Sequence, residues 1–138
     1  MLAGNGPNEA NLRQQITDLD LNDNIELLGY RTDLEKIVPA VDLVVSCSKR
    51  EGLPLNIIEA MLCAKPIVAT FNRGHNELIN DGFNGNLVSP DDISKMAECI
   101  YEIYSDEHKS FLFAENSKII AQKYIVDCVK KEINEIFQ

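Results

Sequence analysis

Glu51 and Glu59 enclose the stretch Glu51-Gly52-Leu53-Pro54-Leu55-Asn56-Ile57-Ile58-Glu59, which follows an apolar run and opens an amphipathic one. Pro54 sits where first-turn prolines favour a helix start. The first turn of a helix carries unpaired amides and the positive end of the helix dipole. The backbone around Leu53, Leu55 and Asn56 therefore suits a pyrophosphate, with Gly52 allowing close approach. A rise of ~1.5 Å per residue puts Glu59 roughly 7 to 8 Å beyond Pro54 along the axis, about the length of a nucleoside. A carboxylate there can accept the hydroxyls of a ribose, while Glu51 at the other extremity addresses those of a sugar. One nucleotide-sugar would then span both. Two glutamates at this spacing are by themselves often only solvated surface, so their surroundings decide.

Other candidates divide the same way. Gly4-Asn5-Gly6-Pro7 is, in isolation, a glycine turn after a strand. Lys49, Arg50, Arg31 and Arg73 are the cations of the strand-end loops, and Lys49 and Arg50 read equally as solubilising residues or phosphate ligands. His75, beside Arg73-Gly74, reads as a helix-cap or surface histidine without a catalytic role, and His108 as solvent-facing. Tyr101, Tyr104 and Phe111 read as packing residues. Cys47, Cys63, Cys99 and Cys128 lack both C-x-x-C spacing and nearby histidines, which predicts buried free thiols and neither a zinc site nor disulfides.

Alternating strands and helices position these residues. Strands are expected at 1–3, 25–28, 41–47, 66–70 and 86–88. The first helix follows Asn8 as cap and carries Leu12, Ile16 and Leu19 on one face. Thr32 and Glu35 have capping-box spacing before a short helix that Pro39 ends. Further helices are expected from Pro54, through Glu77 to Ile79, and then over 91–104, 109–123 and 126–137, with Asp81-Gly82 as a turn. Short apolar strands alternating with helices predict an α/β fold, a doubly wound parallel sheet with a helical carboxyl-terminal end, and ligands beyond the carboxyl ends of the strands.

The 138 residues suit a single domain over 1–138. The 22 acidic against 13 basic side chains, a net charge of −9, argue against a nucleic-acid surface. An anionic ligand stays compatible, because salt screens exposed charges beyond ~8 Å and a phosphate responds mainly to its own pocket. No apolar run is long enough for a transmembrane segment and the first residues lack a secretion signal, which predicts a cytoplasmic protein.

The spacing E-x₇-E followed by Ala60-Met61 resembles the donor-site motif of family-4 glycosyltransferases of the GT-B fold. Gly4-Asn5-Gly6-Pro7, Leu28-Gly29-Tyr30-Arg31, Ser48 to Glu59, Pro66 to Thr70, Arg73-Gly74, Glu77-Leu78-Ile79 and Gly85 fall in that family's order, so the likeness covers nearly the whole chain. It implies a Rossmann-like, carboxyl-terminal donor-binding half of a retaining transferase acting on a nucleotide-sugar, UDP-linked as a first choice, with no metal and no separate cofactor. The acceptor would be a polysaccharide, glycan or lipid-linked acceptor, and the full-length protein would work at the inner membrane surface. The resemblance gives Glu51 a catalytic contact with the donor sugar and Glu59 the ribose. It gives the amides of Gly52, Leu53, Leu55 and Asn56 the diphosphate, Tyr30 and Arg31 the base, and Gly4, Gly6 and Arg50 a place in the donor-binding set.

Two departures carry expectations. The family's basic pair, its first strand-helix unit and the amino-terminal acceptor domain have no counterpart in this stretch, which predicts a chain inactive alone. An incomplete sheet would also favour self-association. Ala64 stands where the family often has glycine, so a left-handed backbone there would be strained by roughly 1 kcal/mol. A different class, a non-catalytic binding or assembly module that keeps the fold, is the alternative. A phosphorelay receiver is disfavoured because the strongest strand ends Ser46-Cys47-Ser48, without a phosphorylatable aspartate.

Overall fold

Four consecutive residues, Ile67–Thr70, are buried on both faces and form the central strand of the larger sheet, as a run of apolar residues flanked by Pro66 and a polar loop requires. Ile67 and Ala69 pack with Ile57, Met61, Leu78 and Ile79 on one face. Val68, one residue out of phase, packs with Val88, Cys99, Ile103 and Phe113 on the other. The two-residue period of a strand thus feeds two helical layers.

The computed structural model describes residues 1–125; the helix expected over 126–137 and Cys128 lie outside them. The elements run β1 (Leu2–Ala3), α1 (Glu9–Asp18), β2 (Leu27–Gly29), α2 (Leu34–Ile37), a 3-10 turn (Val38–Ala40), β3 (Val44–Ser46), α3 (Leu55–Leu62), β4 (Ile67–Thr70), α4 (Arg73–Leu78), β5 (Asn86–Val88), α5 (Ile93–Ser105), α6 (Glu107–Ala121) and a second 3-10 turn (Gln122–Tyr124). The chain forms two compact units, Met1–Leu34 and Glu35–Gln138.

All strand pairs are parallel. The first unit holds β1 beside β2, and the second holds β3-β4-β5 in that order. The α/β class with parallel strands and flanking helices is as expected, with one ladder in each unit.

Several local expectations change. Asn8 stands at the start of α1 without capping it, because its side-chain oxygen accepts from Asn11 Nδ2 at 3.1 Å. The Thr32/Glu35 capping box gives way to an ion pair. Arg31 donates from Nε and Nη2 to the two oxygens of Asp33 at 2.8 and 2.7 Å, and α2 begins one residue later. That pairing holds the Asp33 carboxyl below, and the Arg31 guanidinium above, their ordinary values. Cys99 is buried, and that burial pushes its thiol up, whereas Cys47 is exposed and Cys63 half-buried. Cys47 directly follows the last residue of β3, outside the core.

Both α1 and α3 close with a residue in the left-handed region, Asp20 at φ 54° and Ala64 at φ 52°. Ala64 N–H donates to Met61 O and Lys65 N–H to Ala60 O, each at 3.0 Å. This bond pair closes a helix around a left-handed residue and usually selects glycine, so the strain expected at Ala64 is present.

Candidate functional site

The carboxyl end of β3 leads through Ser48-Lys49-Arg50-Glu51-Gly52-Leu53 into α3. Pro54 occupies the cap position and has no capping side chain, so the Ile57 and Ile58 amides both fall on the Pro54 carbonyl, at 3.1 and 3.2 Å. Among the described residues the Leu55 and Asn56 amides find no acceptor, which leaves the helix start open to an anion. Ile57, Ile58, Ala60 and Met61 are buried and fix this helix to the sheet, each large side chain contributing about 1.5–3 kcal/mol. The opposite stripe, Leu55, Asn56 and Glu59, is exposed. Glu51 is half-buried, with Arg50, Gly52 and Leu53 exposed around it. Every predicted residue of this stretch therefore lies on one loop and one helix start.

Gly74 is the residue that the sequence left without a role. A Cβ on it would come within 2.5 Å of Gly52 O and 2.8 Å of Glu51 Cβ, so only glycine lets the start of α4 lie against the Glu51-Gly52 backbone. Arg73 beside it is exposed and paired with Glu77 at 3.1 Å across one helical turn.

His75 is the main correction. It is a buried side chain, 0% exposed, and not a surface or capping group. Asn72 does the capping: its side chain accepts the His75 amide at 3.0 Å. A sequence signal existed in Asn72-x-x-His75 directly after a buried strand, with Ser46, Ser48 and Thr70 at neighbouring strand ends. His108 is exposed, as expected. Tyr101, Tyr104 and Phe111 are 67%, 82% and 62% exposed and do not fill the core. They lie along a groove of about 770 Å³ with Val41, Leu43, Ala64 and Pro66, at the amino ends of β3 and β4, remote from the Glu51 loop.

In the first unit Gly4, Gly6, Tyr30 and Arg31 cluster at the carboxyl ends of β1 and β2. Gly4, at φ +124°, donates its amide to Gly29 O at 2.7 Å. The Gly4-Asn5-Gly6-Pro7 turn lines a concavity of about 320 Å³ with Leu2, Leu12 and Leu27. Tyr30 is 73% exposed. Among the described residues no group of three or more His, Cys, Asp or Glu is placed to hold a metal ion, and no helix is long and apolar enough to cross a membrane.

Parallel strands with flanking helices make this an α/β domain of Rossmann-like type, with the open helix start among its strand-end loops. The chain belongs to the family Glycosyl transferases group 1, whose sequence profile matches residues 1–120. It is 34% identical over 104 residues to the putative glycosyltransferase EpsD of Bacillus subtilis, covering 75% of this chain and 27% of that protein. It is 30% identical over 136 residues to the poly(ribitol-phosphate) alpha-N-acetylglucosaminyltransferase of Staphylococcus aureus, covering 97% and 28%. Among solved structures, HepE of Anabaena in complex with UDP matches with a TM-score of 0.90 and 34% identity, over 99% of this chain and 39% of that one. The C-terminal domain of LpcC, a glycosyl transferase group 1 family protein of Francisella tularensis, matches with a TM-score of 0.76 and 29% identity, over 86% and 63%. The chain thus spans less than two thirds of the length of each of these proteins.

Proposed function

We propose that this chain is the donor-binding part of a retaining, family-4 glycosyltransferase that moves a sugar from a UDP-sugar to a polysaccharide, glycan or lipid-linked acceptor. The observation that carries this reading is the uncapped start of α3 at the carboxyl end of β3, with Glu51 before it and Glu59 on its exposed stripe. The likeness to HepE, solved with UDP and with UDP-glucose, supports it.

The free amides of Leu55 and Asn56 take the diphosphate, Glu59 the ribose hydroxyls and Glu51 the hydroxyls of the sugar. Lys49 and Arg50 add positive charge beside the diphosphate, so the reading calls for no divalent metal. As the sugar–phosphate bond breaks, negative charge gathers on the departing UDP, and a single preorganised donor can be worth on the order of 3–4 kcal/mol in that step. Arg31 and Arg73 are already engaged by Asp33 and Glu77. The chain alone therefore binds donor without turning it over, and an amino-terminal acceptor domain completes the enzyme, at the inner surface of the membrane.

Calorimetry with UDP, UDP-glucose and GDP-mannose tests this. Glu59→Gln is expected to weaken UDP and UDP-glucose alike, and Glu51→Gln to weaken UDP-glucose only. A folded chain that binds none of these ligands at millimolar concentration ends the donor reading.

A further inference from the structure

His75 uses both ring nitrogens in the buried space between β3 and β4. Its Nδ1 lies 2.6 Å from Thr70 O, and a carbonyl oxygen only accepts, so Nδ1 carries the proton and donates. Nε2 lies 3.2 Å from the Ser46 hydroxyl, a group able to donate to it or accept from it. Asn72 Nδ2, 2.9 Å from the protonated Nδ1, has nothing to bond there and donates to Ser48 O at 2.8 Å. Thr70 Oγ1 donates to the same carbonyl at 2.5 Å. Both ring nitrogens are thus engaged, and the bonds of the cluster join the ends of β3 and β4 to each other and to the start of α4.

The cluster grips the chain just before Lys49-Arg50-Glu51, and Gly74, next to His75, lies against Glu51 and Gly52. An apolar side chain would fill the same space but could not hold two strand ends in fixed register. The start of α3 is anchored separately, by Ile57, Ile58 and Met61 in the core.

We propose that His75 is a positioning residue for the donor sugar. By holding Ser46 of β3 against Thr70 of β4, beside the Ser48 carbonyl that Thr70 Oγ1 and Asn72 Nδ2 grip, it sets where Glu51 presents its carboxylate, and it does so without touching the grip of α3 on the diphosphate. The proposal rests on the reading of Glu51 as the sugar contact.

Two measurements on the full 138-residue chain test it: amide hydrogen exchange over residues 48–52, and calorimetric affinity for UDP and for UDP-glucose. His75→Leu is expected to speed exchange over 48–52 by about tenfold and to lower the affinity for UDP-glucose relative to UDP by about tenfold, as for a lost hydrogen bond to a charged group. UDP itself should bind within about twofold of the parent chain, which a general loss of fold would not allow. Ser46→Ala, a milder change that removes one arm, should shift both readouts in the same direction. His75→Asn keeps a donor for Thr70 and should recover part of each. Unchanged exchange over 48–52, or equal losses for UDP and UDP-glucose, overturns the proposal. A parent chain that binds neither ligand removes the donor reading and with it the sugar role of His75; the exchange measurement then decides the strand clamp by itself.

Discussion

Replacing Ala64 by glycine should stabilise the protein, against the usual rule that glycine weakens a helix. Ala64 follows the last turn of α3 at φ 52°, held by Ala64 N–H to Met61 O and Lys65 N–H to Ala60 O. In that conformation a Cβ crowds the following carbonyl at a cost of roughly 1–2 kcal/mol, which glycine avoids. Glycine also frees the unfolded chain, which takes back about 0.4–1 kcal/mol. The net gain is about 1 kcal/mol, or about 4 °C in Tm for a domain of this size. Urea unfolding followed by circular dichroism reads it as a higher midpoint at unchanged slope. Ala60→Gly, inside the same helix at a buried position, is the opposing control and should lose at least about 1 kcal/mol. If Ala64→Gly unfolds at or below the parent midpoint while the slope is unchanged, the assignment of strain to this residue is wrong.

Gly74→Ala should destabilise the second unit by about 1–3 kcal/mol and weaken UDP-glucose, because its methyl group would sit 2.5 Å from Gly52 O; thermal unfolding and calorimetry check both. Lys109 Nζ lies 2.6 Å from Glu102 and holds that carboxyl below its ordinary value of 4.5. The pair's contribution is therefore complete above that value and fades as pH falls through the lowered one. Urea midpoints of the parent chain and Lys109→Gln should differ at neutral pH and converge in acid. Among the described residues β3 pairs with β4 alone, and Val45 on it is 41% exposed. Concentration-dependent association is expected in sedimentation, reduced by Val45→Lys; a monomer at all concentrations would contradict it.

The donor loop was readable because its signals are local. Pro54 and the alternating buried and exposed residues of 55–62 specify a helix whichever neighbours it finds, and the E-x₇-E spacing follows from the helix itself. The buried strand Ile67–Thr70 was equally plain, since three apolar residues closed by a β-branched threonine suit a strand covered on both faces. Ala64 could be suspected of strain from its place after that helix.

Where short-range signals compete, the sequence by itself could not choose. Thr32 and Glu35 have capping-box spacing, yet Arg31 pairs with Asp33 at that turn and α2 begins at Leu34. Tyr101, Tyr104 and Phe111 have core-like chemistry, yet the faces of α5 and α6 that meet the sheet are filled by Cys99, Ile103 and Phe113.

The order of strands and helices, the loop that bears Glu51, and the family were thus determined by the sequence, because periodicity and motif spacing act over a few residues. The burial of His75 and the contact of Gly74 with Gly52 were decided only by tertiary structure. Each depends on which distant backbone arrives beside a residue: Ser46 is 29 positions from His75, and no local pattern encodes that approach.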